Sequence, residues 1–102
     1  MITNATFVNN ETETIKEYKL YQNYPNPFNP STVIRYQLSD VSDVSLKVYD
    51  LTGREVLTLV NGRLQAGKYE AKLDGSMLPS GVYFYKLVSG DFSEVKKLLL
   101  IK

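Results

Sequence analysis

The sequence lacks cysteine, histidine and tryptophan altogether among its 102 residues. Without cysteine there can be no disulfide and no thiolate metal site. Cysteine content therefore does not indicate whether the protein works in an oxidising or a reducing compartment. Without histidine as well, the Ser-His-Asp and Cys-His arrangements of nucleophilic catalysis and the usual zinc ligand sets are excluded. We therefore expect a protein that is not an enzyme, has no catalytic residue and needs no metal or cofactor.

Carboxylates are the remaining candidates for chemistry. Asp40 and Asp43 lie three residues apart in a polar stretch, and with Ser42 they could offer oxygen ligands to calcium, as could Asp74 with Ser76. Neither group has the dense, regular spacing of a calcium loop. We interpret both groups as turn residues, whose side chains bond the backbone beside them.

The sequence also has no large excess of charge of one sign, since its 12 basic and 11 acidic residues leave a net charge of +1. Such a balance lacks the strong positive field that nucleic-acid binding usually needs, so neither DNA nor RNA is an expected partner. The sequence contains no run of about 18 apolar residues, the length needed to span a membrane, and its first residues lack the pattern of a signal peptide. We expect that the chain neither inserts into a membrane nor exports itself alone.

Two regions differ in character. Residues 1–17 are rich in Thr, Asn and Glu, with scattered apolar residues, and we expect a linker or tail there. From residue 18 to residue 102 the chain alternates short apolar runs with Gly, Pro, Asn and Asp, which indicates one β domain. Seven strands are predicted, at residues 18–21, 32–38, 44–49, 55–60, 68–73, 82–88 and 92–102. Their number and spacing favour an immunoglobulin-like Greek-key β-sandwich.

Individual residues refine this prediction. Three prolines keep residues 22–30 from forming a central strand, and residues 50–53 suit a tight hairpin. Asn61 and Gly62 predict a further turn, and the apolar run 82–88 predicts a central strand buried on both faces. Tyr83, near the start of that strand, is either a tyrosine corner bonded to nearby backbone or an ordinary half-buried aromatic.

Two surface features each allow two interpretations. Tyr21, Tyr24 and Tyr49 could form an exposed stripe that stacks on sugars or docks a protein, or they could reflect the preference of strands for tyrosine. The lysines at 96, 97 and 102 could be a recognition handle or charges that blunt an edge strand. A carbohydrate-binding module and a structural β-sandwich module of a secreted enzyme therefore stay open as alternative functions.

Four motifs in order carry a resemblance to a known family. They are YQNYPNPFNPST at 21–32, VYDLTGR at 48–54, SGVYF at 80–84 and KKLLLIK at 96–102. Over residues 18–102 the chain resembles the C-terminal sorting domain of type IX secretion cargo in Bacteroidetes, of the Por secretion tail family (type A). The first two motifs also resemble the immunoglobulin-like domain of flagellar hook-capping proteins. The closing motif favours the sorting domain.

The resemblance implies a domain attached to the end of a larger cargo protein. Such a domain folds in the periplasm, is recognised by the type IX outer-membrane translocon and its shuttle proteins, and takes its host to the outer-membrane surface or out of the cell. A sortase-like cysteine protease commonly cuts the preceding linker, here between Thr3 and Lys19.

The resemblance also implies which residues the translocon recognises. They are Gly81, Tyr83, Lys97, Leu98, Leu99, Leu100, Ile101 and Lys102. A physical argument agrees with this choice, because a strand at the end of a chain can pair edge-to-edge with a receptor. No following segment can cover its last residues.

Overall fold

A computed structural model describes residues 17–102, so the predicted linker lies almost entirely outside the described residues. The described part contains seven strands and no helix, which confirms the predicted all-β class. The strands are β1 (Lys19–Leu20), β2 (Ser31–Leu38), β3 (Ser42–Tyr49), β4 (Glu55–Leu64), β5 (Gly67–Asp74), β6 (Gly81–Ser89) and β7 (Phe92–Leu100). Over these residues, no helix is available that could cross a membrane.

The strands form two antiparallel sheets, one of three strands in the order β1-β2-β5 and one of four in the order β4-β3-β6-β7. Pairing of β2 with β5 in one sheet and of β3 with β6 in the other is the immunoglobulin-like arrangement. The sandwich prediction is thereby confirmed.

Alternation along the strands builds the core between the sheets. On β3, Val44, Leu46 and Val48 are buried, whereas their neighbours are exposed or half-buried. The buried apolar set is Leu20, Phe28, Ile34, Tyr36, Leu38, Val44, Leu46, Val48, Leu73, Tyr83, Tyr85, Leu87, Leu98 and Leu100. Burying each large side chain of this kind contributes about 1.5–3 kcal/mol.

The turn predicted at Asn61 and Gly62 is wrong. Both residues lie within β4, where Asn61 is opposite Ser45 and Gly62 is opposite Val44. The chain reverses only after Leu64, because β3 offers partners as far as Ser42 and the pairing continues along all of it. Turn-forming residues are tolerated there because β4 is an edge strand with exposed side chains at these positions.

The prediction for the strand at residues 82–88 is right about its place and wrong about its burial. β6 lies between β3 and β7, but only the face with Tyr83, Tyr85 and Leu87 is fully buried. The other face is half-buried because no described element covers it. Tyr83 is a tyrosine corner, since its hydroxyl donates to the carbonyl oxygen of Pro79 at 2.5 Å.

The turn at residues 50–53 forms as the sequence predicts. The Asp50 carboxylate accepts hydrogen bonds from the backbone N–H groups of Thr52 (2.9 Å) and Arg54 (3.1 Å). Gly53 has a φ of 88°, in the left-handed region that favours glycine. The motif at 48–54 is thus the end of β3 with its turn.

Candidate functional site at the motif end of the sandwich

The four motifs meet at one end of the sandwich. We call this the motif end: β2 begins there at Ser31, β3 ends at Tyr49, β6 begins at Gly81 and β7 ends at Leu100. Tyr49 lies opposite Phe84 on β6, and Gly81 lies opposite Leu100 on β7. Segments that are far apart in the sequence therefore share one structural location.

The proline-rich residues 22–30, which we call the crossing segment, connect the two sheets. Tyr24 pairs with Val33 of β2 through two backbone hydrogen bonds of 3.0 and 3.1 Å. Further on, Phe28 forms a parallel bridge with Leu100 of β7. The first motif thus leaves one sheet and reaches the last strand of the other.

A buried tyrosine hydroxyl holds the start of the crossing segment. The Tyr85 hydroxyl accepts a hydrogen bond from the N–H of Asn23 and donates to the carbonyl oxygen of Tyr21, both at 2.8 Å. The Asn23 side chain is itself buried and donates to the Thr32 hydroxyl at 3.1 Å. Burial raises the pKa of Tyr85 to about 12, so its hydroxyl stays a donor at physiological pH.

The crossing segment also covers the outer edge of β7. Gln22 donates to the carbonyl oxygen of Lys97 at 2.8 Å, and the Asn26 side chain accepts from the N–H of Leu99 at 3.0 Å. The Leu99 carbonyl oxygen accepts from the N–H of Phe28 at 3.0 Å. The expectation of a terminal strand open to edge-to-edge pairing is therefore wrong for this half of β7. A preceding segment covers it.

Leu100 occupies a tight site formed by Phe28 and Gly75. A Cβ placed on Gly75 would lie 3.1 Å from side-chain atoms of both Leu100 and Phe28, so only glycine fits without movement. The N–H of Gly75 donates to the carbonyl oxygen of Pro30 at 2.8 Å. Nothing in the sequence pattern around this glycine reveals the close approach.

Beyond β7, the last two residues are bound to the motif end yet remain exposed. The N–H of Ile101 donates to the carbonyl oxygen of Phe28 at 3.0 Å, and the N–H of Lys102 donates to the Ser80 hydroxyl at 3.0 Å. The Lys102 ammonium group reaches the carbonyl oxygen of Ser76 at 2.6 Å. Ile101 keeps 48% of its surface exposed.

The structure separates the proposed recognition residues into two groups. Leu98 and Leu100 are about 1% exposed, and Tyr83 is 4% exposed, so their side chains belong to the core. Lys97, Ile101 and Lys102 are exposed, and Gly81 and Leu99 are half-buried. A partner that meets the folded domain can touch only the second group.

The three candidate tyrosines do not form one stripe. Tyr21 and Tyr24 adjoin the three-stranded sheet, with 37% and 74% of their surface exposed. Tyr49 lies on β3 in the other sheet and lines a different depression from Tyr21. These three tyrosines therefore do not offer one continuous platform for sugar stacking.

Asp40 and Asp74 act as turn residues, as predicted, whereas Asp43 lies on β3 and pairs across to β4. Asp40 accepts from the N–H of Val41 at 2.8 Å, and Asp43 forms an ion pair with Arg63 at 3.3 Å. Hydrogen bonds from the backbone and side chain of Ser76 hold the pKa of Asp74 below its usual value. Within the described chain, no group of three or more acidic side chains could hold a metal ion.

Comparison with known proteins supports the family resemblance that the four motifs carry. Residues 22–102 match the family model described as the secretion system C-terminal sorting domain. No curated protein matches the chain. Among solved structures, dimeric latent PorU from Porphyromonas gingivalis is similar, with a TM-score of 0.64 and 21% identity over 91% of this chain and 10% of that one. This likeness shows the fold.

The family match begins at Gln22, the first residue of the crossing segment, and includes every strand of the motif end. The chain belongs to the family of secretion system C-terminal sorting domains, the non-catalytic tails that direct type IX cargo to the cell surface or out of the cell.

Proposed function

We propose that the type IX outer-membrane translocon and its shuttle proteins recognise this domain in its folded form, through the exposed residues of the motif end. Lys97, Ile101 and Lys102 would make the direct contacts. Gly81, Tyr83, Leu98, Leu99 and Leu100 would act mainly by placing them. The observation that carries this proposal is the binding of residues 97–102 by Gln22, Asn26, Phe28 and Ser80.

The covered edge of β7 supports recognition through side chains. Addition of a receptor strand at Leu99 would require that Asn26 and Phe28 release their hydrogen bonds to that residue. Such release would break both hydrogen bonds before the new strand had formed, at a cost of about 0.5–1.5 kcal/mol for each. A receptor that binds the exposed side chains does not need to break these hydrogen bonds.

We further propose that a host cargo protein precedes this domain and passes through the periplasm with it. A sortase-like cysteine protease would then cut between Thr3 and Lys19. Residues 1–16 lie outside the described part. At the start of that part, Glu17 is exposed and precedes β1, whereas Lys19 is paired with Gln37 of β2, so a cut before Lys19 would leave the sandwich intact.

The proposal can be tested with a reporter that carries its own signal peptide and is fused to residues 1–102 in a bacterium with a type IX system. The double variant Ile101→Asp with Lys102→Glu changes exposed side chains and leaves Leu98 and Leu100 in place. We expect the reporter to stay in the periplasm, as judged by loss of its sensitivity to protease added to intact cells.

The matched control is Val41→Asp with Lys68→Glu, which makes the same kinds of change at exposed positions far from the motif end, since Lys68 lies opposite Gln37 near the end of β2. Val41 lies in the turn between β2 and β3, at the end opposite the motif end. The control reporter should reach the surface normally. Normal display of the Ile101 and Lys102 variant would contradict the proposal.

A further inference from the structure

The outer face of the four-stranded sheet carries a cluster of lysines. Register places Tyr49, Phe84 and Lys97 in one row across β3, β6 and β7, and Lys47, Lys86 and Val95 in the next row. We call these six residues the lysine face. Their rows are adjacent, because each strand advances by two residues from one row to the next.

The charges of the lysine face are poorly balanced. Lys47 lies directly opposite Lys86, and Lys97 lies diagonally from Lys86, at about 7–8 Å in a sheet of normal geometry. Like charges directly opposite one another destabilise a sheet. Glu55 pairs with Lys47 at 3.4 Å, but no ion pair with Lys86 or Lys97 is found among residues 17–102. An uncompensated charge of about +2 therefore remains.

An apolar depression lies beside these lysines. It has a volume of about 350 Å³ and is lined by Tyr49, Leu51, Phe84 and Val95, together with Lys86. Leu51 and Val95 are 69% and 53% exposed. Asp50, which also lines it, is already engaged by Thr52 and Arg54. No described element covers the depression.

We propose that the lysine face binds an extended acidic segment of a partner protein. Two carboxylates of the segment, two residues apart and so on the same face of it, would meet Lys86 and Lys97, and an apolar side chain two residues further along that face would enter the depression over Phe84. An acidic peptide suits the face better than an anionic membrane does. Phe84 and Tyr49, which line the depression, are half-buried, so a single apolar side chain of the segment can contact them beside the lysines.

In a direct test, the isotopically labelled chain is titrated with the blocked hexapeptide Glu-Ser-Glu-Ser-Phe-Ser, whose two carboxylates and phenyl ring share one face when it is extended. A second titration uses its counterpart Lys-Ser-Lys-Ser-Phe-Ser, and both are followed by NMR. The acidic peptide should shift the amide signals of Lys86, Val95 and Lys97, and added salt should weaken the effect. The basic peptide should leave these signals unchanged. Absence of shifts on the lysine face with the acidic peptide would overturn the proposal.

The variant Lys86→Glu sharpens the test because it should preserve the fold. It replaces the repulsion between Lys47 and Lys86 with an attraction, so thermal stability should be unchanged or higher. Affinity for the acidic peptide should fall about tenfold, which corresponds to about 1.4 kcal/mol. Lys72→Glu, at an exposed position on β5 of the other sheet, should keep the affinity of the unaltered chain.

A vesicle experiment separates the peptide from a membrane. Binding to phosphatidylglycerol vesicles without binding to the acidic peptide would assign the face to a lipid surface and overturn the proposal. The outcome is independent of the proposed export signal, because the binding is measured in solution on the chain alone.

Discussion

Phe28 and Leu100 form a parallel bridge that joins the proline-rich crossing segment to the last strand of the domain. The N–H of Phe28 donates to the carbonyl oxygen of Leu99, and its own carbonyl oxygen accepts from Ile101, both at 3.0 Å. Both side chains are buried, at 2% and 1% exposure. The position of the last residues therefore depends on a segment at the start of the domain.

Removing the Phe28 side chain should loosen the end of β7. Phe28→Ala leaves a cavity against Leu100 and should lower the free energy of unfolding by about 3–5 kcal/mol. Urea denaturation followed by circular dichroism measures this loss. The control Ile101→Ala changes an exposed neighbour of Leu100 and should stay within about 0.5 kcal/mol of the unaltered chain. Equal losses in the two variants would contradict the described packing.

Two glycines offer a matched pair of variants. Gly75→Ala places a Cβ 3.1 Å from Leu100 and Phe28 and should destabilise the domain by about 1–3 kcal/mol. A Cβ on Gly62 meets nothing within 4 Å, and Gly62 has no positive φ. Gly62→Ala should therefore be neutral or stabilising by up to about 1 kcal/mol. Thermal melts of both variants check the prediction, and a neutral Gly75→Ala would refute it.

The Tyr85 hydroxyl should make stability sensitive to alkaline pH. Tyr85→Phe leaves the N–H of Asn23 and the carbonyl oxygen of Tyr21 without this partner and should cost about 1–3 kcal/mol at neutral pH. The folded-state pKa is raised, to about 12. The contribution of this tyrosine is therefore fully present below its unfolded pKa of about 10 and is lost as the pH rises towards 12.

The measurement for Tyr85 is the difference in unfolding free energy between the unaltered chain and Tyr85→Phe, followed from pH 7 to about pH 12. Burial also raises the pKa values of Tyr36 and Tyr83, but these residues are present in both proteins, so the difference isolates Tyr85. The difference should be constant up to about pH 10 and shrink above it. A difference that stays constant throughout would contradict the buried hydroxyl.

The strands could be predicted from the sequence because their signal is local. On β3, every second residue from Val44 to Val48 is apolar and every one is buried. The turn at Asp50 was also predictable, since its bonds join residues within four positions. Asn61 and Gly62 misled the prediction, because the same residue types serve in a turn and on an exposed edge strand.

The motif end could not be derived from local patterns. Gln22 and Asn26 are ordinary polar residues in the sequence, and only the fold brings them to the backbone of Lys97 and Leu99. The prolines correctly excluded a central strand, but they gave no information about which strand the segment would cover. The resemblance supplied the four motifs, and the structure supplies the reason that they belong together.

In the proposed function, the translocon recognises the sorting signal in its folded state. This recognition can be tested with a staple between β6 and β7, made by Val82→Cys with Leu99→Cys in the reporter fusion. These residues lie opposite each other. The backbone N–H and C=O groups of Leu99 bond to the crossing segment and point away from β6, so Val82 and Leu99 form a non-hydrogen-bonded pair. Such pairs have a Cα separation of about 4.5 Å, which suits a disulfide. The chain has no other cysteine.

The decisive measurement is surface display of the stapled reporter, compared with the two single-cysteine variants, in cells where the oxidising periplasm forms the disulfide. If the folded end is recognised, the oxidised double variant should reach the surface as efficiently as the single variants. If the translocon must instead peel β7 from β6, the oxidised protein will accumulate in the periplasm and the single variants will not. That result would contradict recognition of the folded domain.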